Sequence, residues 1–317
     1  MVLVVNVGRE SMKRIISLFI TLGSLLILSS CNNSIDNGKL TIVTTIFPIY
    51  DIVKSITDDT VNIDLMISPG QDIHSYDPST DDIITVKKSD LFIYIGDNME
   101  TWVPDLTKNQ PDMFVLELTK DERIKLSSLE HHEHHEHHEH DHNVDMHIWT
   151  NPYYVLIMVE LITNALIEVN PSYQEIYKSN ALEYTQEVNK IIDDINEIVN
   201  NKKRDTLYFG APFAFYYFTT AFGLEHKTVY DTCSIEVEPT IDKILSINKE
   251  IIEKNIPVVY TKELLNDNIA RKLIEGSNAK LMILHSGHNV SSSDFEKGIT
   301  FLEIWQNNIE ALKEGLL

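Results

Sequence analysis

The sequence predicts an α/β protein of two lobes, each with a parallel sheet flanked by helices, joined by one long rigid helix. Two observations lead to this fold class. In both halves of the chain, short apolar runs of strand length alternate with helical stretches, as they do in parallel α/β sheets. Between the halves, apolar residues recur at spacings of three and four, which is typical of one long amphipathic helix.

The start of the chain indicates a secretory signal peptide at residues 1–30. Lys13 and Arg14 precede an uncharged apolar run at residues 15–28, and a lipobox follows that ends at Cys31. A transmembrane helix is the alternative, but the run is shorter than the roughly 20 residues that a bilayer requires. We therefore expect cleavage before Cys31 and a lipid anchor on this cysteine at the extracytoplasmic face of the cell membrane.

Composition limits the redox chemistry and the class of partner. The 317-residue chain has two cysteines, Cys31 and Cys233, so the lipidated protein would have no internal disulfide. A formal net charge of −22 argues against nucleic acid as a partner. The acidic surface suits attraction of cations, although solubility alone would also explain it. We expect the protein to be a monomer. The signal peptide has a more typical start at Met12 than at Met1.

The N-terminal lobe is expected at residues 40–170, after a polar tether at residues 31–39. Its apolar runs predict buried strands connected by helices, one of them capped by Ser79 or Thr80. The predicted strands are residues 40–46, 61–67, 91–95 and 113–118.

The connecting helix is predicted at residues 171–203. No Gly or Pro interrupts its apolar stripe. At about 1.5 Å per residue, it would reach about 45 Å and run along both lobes. Two shorter helices, broken near Asp193 or Asn201, are the alternative. The stripe consists of Tyr184, Val188, Ile191, Ile195 and Ile198.

The C-terminal lobe, at residues 204–317, repeats the alternation of strands and helices. Helices are predicted at residues 239–254 and 294–316. The predicted strands are residues 206–209, 227–230, 257–260 and 280–284.

A histidine-rich tract interrupts the N-terminal lobe at residues 130–142. It holds eight of the thirteen histidines, interleaved with five carboxylates. Imidazole nitrogen suits zinc, copper or nickel, and the carboxylates attract divalent cations. Because the tract is repetitive, we expect it to gather metal beside a separate ordered site. Its histidines are His131, His132, His134, His135, His137, His138, His140 and His142.

One stretch of the tract, residues 138–142, matches the metalloprotease pattern H-E-x-x-H. That mechanism needs a helix with both histidines on one face, and the flanking sequence offers no apolar helical face. A zinc hydrolase that uses an open coordination position is the remaining enzymatic alternative. Because no motif supplies a catalytic base, we predict that the protein is not an enzyme.

Three other histidines stand where an ordered metal site is expected. His74 follows the second predicted strand, and His147 lies among aromatic and apolar residues just after the tract. His285 follows the last predicted strand, and in open α/β sheets the carboxyl ends of the strands face the ligand crevice. A structural role is the alternative for each one alone, but their occurrence in both lobes favours a shared site.

From about residue 40 to its end, the chain resembles the zinc and manganese solute-binding family of bacterial ATP-driven importers. The resemblance implies two lobes joined by one rigid helix, capture of a metal ion, and delivery of the ion to the permease of an ABC transporter. The motifs that carry it are Pro69-Gly70 with His74 and Tyr76, Gly96 with Glu100 and Trp102, Asp145 and His147 with Trp149 and Pro152, Phe222-Gly223-Leu224, Glu238-Pro239 and Asn307-Asn308.

Carried over by position, the resemblance implies His74 and His147 as the first two metal ligands. The family's third histidine falls ten residues before Phe222, where this chain has Pro212, which offers no donor atom. The family's fourth ligand is a carboxylate just after the last strand, and His285 holds that position. We therefore expect a site of His74, His147 and His285 with one open position. Candidates for that position are His288, Glu236, Glu238 and Cys233.

Nitrogen ligands favour zinc over manganese, whose sites prefer carboxylates and water. The sequence therefore predicts an extracytoplasmic lipoprotein that captures zinc and passes it to an ABC importer. Two alternatives stay open. One is a manganese importer component, and the other is a surface metal-buffering protein or adhesin in which the tract is the functional site.

Overall fold

Two four-stranded parallel sheets organise the chain, one in each half. The computed structural model describes residues 38–108, 110, 113–127, 144–230 and 238–317. Leu40–Leu317 form one compact unit. The predicted fold class is confirmed. The predicted signal peptide, the lipidation site Cys31, the histidine tract, Cys233 and Glu236 lie outside the described residues.

The N-terminal sheet has the strand order β2-β1-β3-β4. Successive residues of its central strands enter different apolar clusters, Ile42 in one and Val43 in the other. Both faces of the sheet are therefore covered, as in parallel sheets flanked by helices. The strands are β1 (Thr41–Thr44), β2 (Asn62–Leu65), β3 (Leu91–Tyr94) and β4 (Val115–Glu117).

The described residues of this lobe form four α-helices. Ser79 caps the second, accepting from the Asp82 N–H while the Asp82 carboxylate accepts from the Ser79 N–H. The fourth is apolar and long enough to cross a membrane, but it packs Ile162 and Leu166 into the core, as a core helix does. The helices are α1 (Phe47–Thr57), α2 (Thr80–Lys88), α3 (Val103–Thr107) and α4 (Pro152–Val169).

The connecting helix, α5 (Gln174–Asn200), is continuous over 27 residues. A 3-10 turn at Pro171–Tyr173 precedes it, and Asn201 follows it as the cap. The alternative break near Asp193 is therefore wrong, and the helix runs about 40 Å. The five residues of the predicted stripe are buried. The helix packs against α1, α4 and the C-terminal helix, so it supports both lobes.

The C-terminal sheet repeats the topology of the first, with the order β6-β5-β7-β8. The strand predicted at residues 227–230 begins two residues earlier. It is an edge strand whose first residues, Glu225 and His226, are polar and exposed, so apolar patterning does not reveal them. The strands are β5 (Thr206–Phe209), β6 (Glu225–Thr228), β7 (Val258–Thr261) and β8 (Lys280–Ile283).

Outside residues 231–237, which the structure does not describe, the C-terminal lobe has five α-helices. The single helix predicted at residues 294–316 is two helices. Gly298 adopts a φ of 79°, and Thr300 then opens a new capping box with Glu303. The helices are α6 (Tyr216–Phe222), α7 (Ile241–Glu253), α8 (Asn268–Ile274), α9 (Ser292–Glu296) and α10 (Phe301–Leu316).

A buried carboxylate joins three helices from both lobes and the connector. Asp51 of α1 accepts through Oδ2 from the Phe301 N–H of α10 at 3.1 Å and from the Tyr184 hydroxyl of α5 at 3.4 Å. Burial raises the pKa of Asp51 to about 6. This contact links the lobes on the side of the connecting helix.

Candidate metal centre

A cavity of about 220 Å³ lies between the lobes, beyond the carboxyl ends of the strands. One wall is the loop between β2 and α2. The facing wall consists of loops that follow β5, β7 and β8. The lining residues are Gly70, Gln71, Asp72 and His74 of the N-terminal lobe and Pro212, Lys262, Glu263, Leu264, Leu265 and His288 of the C-terminal lobe.

His74 lies in the loop between β2 and α2, on the wall of the cavity. Asp72 organises the loop by accepting from the His74 backbone N–H at 3.1 Å. The ring centroid of His74 is 5.3 Å from that of His147. Desolvation, followed by the nearby His147 and Lys262, lowers the pKa of His74 to about 4. The ring is therefore neutral at physiological pH, which is the form that binds metal.

His147 is buried against Asp145, and this pair fixes its tautomer. Asp145 Oδ1 lies 2.8 Å from Nδ1 and accepts from the His147 backbone N–H at the same distance. Burial raises the pKa of Asp145, but the His147 ring and its hydrogen bonds outweigh burial and hold this pKa below its usual value. An ionised carboxylate only accepts, so the ring proton sits on Nδ1. Nε2 is buried and has no hydrogen-bond partner among the described residues.

His288 is oriented by a relay of hydrogen bonds in the C-terminal lobe. The Ser286 hydroxyl donates to the Glu263 carboxylate, and Ser286 Oγ lies 2.7 Å from His288 Nδ1. A hydroxyl that donates to a carboxylate accepts from the ring, which places the proton on Nδ1 and leaves the Nε2 lone pair free. Burial holds the pKa of His288 well below its usual value. Its ring centroid is 6.2 Å from that of His74 and 6.3 Å from that of His147.

His285, the third ligand expected from the sequence, follows β8 as predicted, but its ring is hydrogen-bonded to the backbone of its own loop. Nδ1 accepts from the Gly287 backbone N–H at 3.0 Å, so a neutral ring carries its proton on Nε2 and has no free lone pair on nitrogen. Burial lowers the pKa of His285. Within the described parts of the chain, ring contacts join His74, His147 and His288, and none joins His285 to that group.

The spacing of the three rings can be compared with a zinc site. With a Zn–N distance of about 2.0–2.1 Å and tetrahedral angles, ring centroids would be about 5.2 Å apart. The His74–His147 pair stands at 5.3 Å, and His288 is about 1 Å farther from each. Consistent with this wider spacing, no three His, Cys, Asp or Glu side chains of the described residues are already grouped to hold a metal. A small inward shift of His288 would complete a three-nitrogen group.

A family comparison agrees with a cleft lined by histidines. Residues 42–315 match the family described as ZnuA, zinc-uptake complex component A, periplasmic. The chain belongs to the ZnuA family. The family consists of extracytoplasmic solute-binding components of metal uptake that work with the permease of an ABC transporter. The predicted receptor role and the prediction that the chain is not an enzyme are therefore confirmed.

Individual ZnuA-family relatives match along both lobes. The high-affinity zinc uptake system protein ZnuA of Bacillus subtilis is 30% identical over 311 residues, which cover 95% of this chain and 97% of that protein. The zinc-binding lipoprotein AdcA of Streptococcus pneumoniae is 27% identical over 307 residues, and the match covers 96% of this chain but 61% of AdcA. The crystal structure of the Zn(II)-bound ZnuA-like domain of AdcA superposes with a TM-score of 0.74 at 25% identity, covering 88% of this chain and 99% of that domain.

In this ZnuA-family chain, buried side chains hold the two walls of the cleft together. Asn289 donates through Nδ2 to the Ser68 carbonyl at 3.0 Å, in the loop that carries His74. Trp149 donates through Nε1 to the Ser286 carbonyl at 2.9 Å. Each bond joins a histidine-bearing segment of one lobe to the other lobe. The segments that carry the three rings are therefore held together across the cleft.

Sequence reasoning missed Glu263 and Asn289 at this ZnuA-family site. Glu263 follows β7 by two residues, so its place at the carboxyl end of a strand is a signal that could have found it. Asn289 has no such signal, because its role depends on the loop of the other lobe. Of the candidates for the open position, Glu238 is exposed and His288 lies on the cavity wall.

Proposed function

We propose that this protein captures a zinc ion in the cleft between its lobes and delivers it to the permease of an ABC importer. The observation that carries the proposal is the buried Nε2 atom of His147, which has no partner among the described residues and belongs to a ring whose centroid lies 5.3 Å from that of His74 and 6.3 Å from that of His288. A buried polar atom without a partner costs about 1–3 kcal/mol. A metal ion bound at Nε2 would offset that cost.

We propose His74, His147 and His288 as the ligands, with His285 as the alternative from the C-terminal lobe. Each of the first three is neutral or has its Nδ1 proton directed at an acceptor, so its Nε2 can coordinate. Three nitrogen donors favour zinc over manganese. The Zn(II)-bound domain of Streptococcus pneumoniae AdcA supports the same choice. A fourth position remains for water, since Pro212 offers no donor and Glu238 is exposed.

We also propose where the receptor is held in the cell and how far its lobes open. A lipid on Cys31 would hold the monomeric receptor at the outer face of the membrane, within reach of the permease. The continuous α5 helix packs on both lobes and would limit their opening, so that loaded and empty forms differ modestly.

The experiment is zinc calorimetry on the full mature chain and on a variant that lacks residues 130–142. The proposal expects one tight zinc ion in both proteins, and loss of that ion in His147→Ala. His226→Gln is the matched control, because His226 stacks on Phe213 outside the cleft. Loss of tight binding on deletion of the tract, with His147→Ala unchanged, would instead support a surface metal buffer or adhesin. Competition between zinc and manganese in the deletion variant tests the manganese alternative.

A further inference from the structure

Ser127 and Asp145, which flank the histidine tract in sequence, form a hydrogen-bonded pair that we call the base of the tract. The Asp145 backbone N–H donates to the Ser127 carbonyl at 3.2 Å. Two consecutive tyrosines of α6, in the C-terminal lobe, contact this base. The hydroxyls of Tyr216 and Tyr217 have different hydrogen-bond partners. Among the described residues, the Tyr217 hydroxyl is the one that contacts Asp145.

The Tyr217 hydroxyl bridges both sides of the base. It donates to the Asp145 carbonyl at 2.5 Å and accepts from the Ser127 backbone N–H at 3.2 Å. The Tyr217 side chain is buried. By contrast, the Tyr216 hydroxyl lies 2.9 Å from Ser127 Oγ, and within the described part of the chain it makes no hydrogen bond to Asp145.

Asp145 then connects this interlobe contact to a ring nitrogen. Its carbonyl is held by Tyr217, while its carboxylate accepts from both the backbone N–H and Nδ1 of His147. The residue therefore has its backbone fixed by one lobe and orients a histidine of the other. A shift of Asp145 would turn the His147 ring and move Nε2 away from the cleft.

We propose that Tyr217 is a positioning residue for metal capture, acting through Asp145 on His147. This inference rests on the proposed function. Separation of α6 from residues 145–147 breaks the Tyr217 hydrogen bond and releases the backbone that aims His147. Opening of the lobes therefore also releases the metal, because Asp145 takes part in the interlobe contact and orients His147.

The test compares Tyr217→Phe with Tyr216→Phe in the full mature chain. Both variants lose one hydroxyl at the same base, and both keep the ring. Zinc dissociation is followed after rapid mixing with a strong chelator, using the fluorescence of Trp149, whose ring lies 5.2 Å from that of His147. Removal of partners that orient metal ligands typically costs about 10–100-fold in affinity, so we expect zinc to leave Tyr217→Phe at least about tenfold faster than wild type. Tyr216→Phe should release it at the wild-type rate.

A double-mutant cycle with Asp145→Asn separates positioning from general stability. If Tyr217 acts through Asp145, the effects of the two substitutions on the dissociation rate are not additive, whereas independent effects add. Equal release from Tyr217→Phe and Tyr216→Phe, or additive effects in the cycle, would overturn the inference. Absence of tight zinc binding in the wild type and in His226→Gln would instead overturn the proposed function.

Discussion

Asp145 Oδ1 and His147 Nδ1 lie 2.8 Å apart in the buried wall of the cleft. The carboxylate accepts a hydrogen bond from Nδ1–H, so the lone pair of His147 is on Nε2, the atom that has no partner among the described residues. Metal-binding histidines characteristically donate their other nitrogen to a carboxylate or carbonyl in this way. The pair therefore fixes the atom of His147 that we propose as a ligand before any ion arrives.

Substitution of this ligand is expected to abolish tight binding. His147→Ala removes the prepared donor, so we expect zinc affinity to fall by more than the about 10–100-fold that loss of an outer partner costs. Asp145→Asn should fall within that range, because it keeps the histidine and removes the charged acceptor. Calorimetry with a competing chelator measures both. A His147→Ala protein that binds as tightly as His226→Gln would contradict the site.

The two histidines after β8 are expected to differ. His288→Ala should weaken zinc binding by at least about 100-fold, because its ring centroid lies 6.2 Å from that of His74 and 6.3 Å from that of His147 and we propose it as a ligand. His285→Ala should have a smaller effect, through the loop that the ring supports at the Gly287 N–H. The reverse order of the two affinities would restore His285 as the ligand.

Addition of a donor at Pro212 is expected to tighten the site. Pro212 lines the cavity with His74 and His288, so Pro212→His would place an imidazole at the open position. We expect zinc affinity to rise by at least about tenfold, or roughly 1.4 kcal/mol. Pro212→Phe, which has a ring without a donor, is the control. Equal affinity in the two variants would show that this position does not face the ion.

Acid is expected to compete with zinc at His74 only near pH 4. The pKa of this ring is lowered from its ordinary value to about 4, so it stays neutral at pH values where a free imidazole is protonated. NMR titration of the metal-free protein should show this midpoint. Because the unfolded chain binds the proton first, stability of the metal-free protein should fall as the pH drops from about 6.5 to 4. A His74 midpoint near 6.5 would contradict the packing of the loop.

The buried Asp51 is expected to make the fold less stable as the pH rises from 3.8 through about 6. Its pKa is raised from 3.8 to about 6, so the folded state holds a proton that the unfolded state releases. The stabilisation from this proton is full below pH 3.8 and is lost as the pH rises through about 6, by up to roughly 3 kcal/mol. Asp51→Asn keeps an acceptor for Phe301 and Tyr184, so its denaturant stability should vary less than that of the wild type between pH 4 and 8. An unchanged pH profile would contradict the raised pKa.

Patterning predicted the sheets and the connecting helix, because these elements bury apolar residues with a regular period. The edge strand β6 was misplaced because its exposed residues carry no such pattern. The residues around His74 and His147 predicted that these two histidines share a site, and the structure places their ring centroids 5.3 Å apart. The arrangement of His285 and His288 could not, because Gly287 adopts a φ of 78° and turns the chain between them. Which ring then faces the cleft depends on hydrogen bonds to Glu263 and Asn308, which are distant in sequence.

The two sheets have the same strand order, so the lobes are topological copies of one half-molecule. In this correspondence β5 matches β1, β6 matches β2, β7 matches β3 and β8 matches β4. The connection from β6 to α7, which contains Glu238, is then the counterpart of the connection from β2 to α2, which carries His74. An ion held in the cleft would lie between corresponding loops of the two lobes. Each lobe can therefore offer a donor from the same place in the repeated unit while every strand keeps its position.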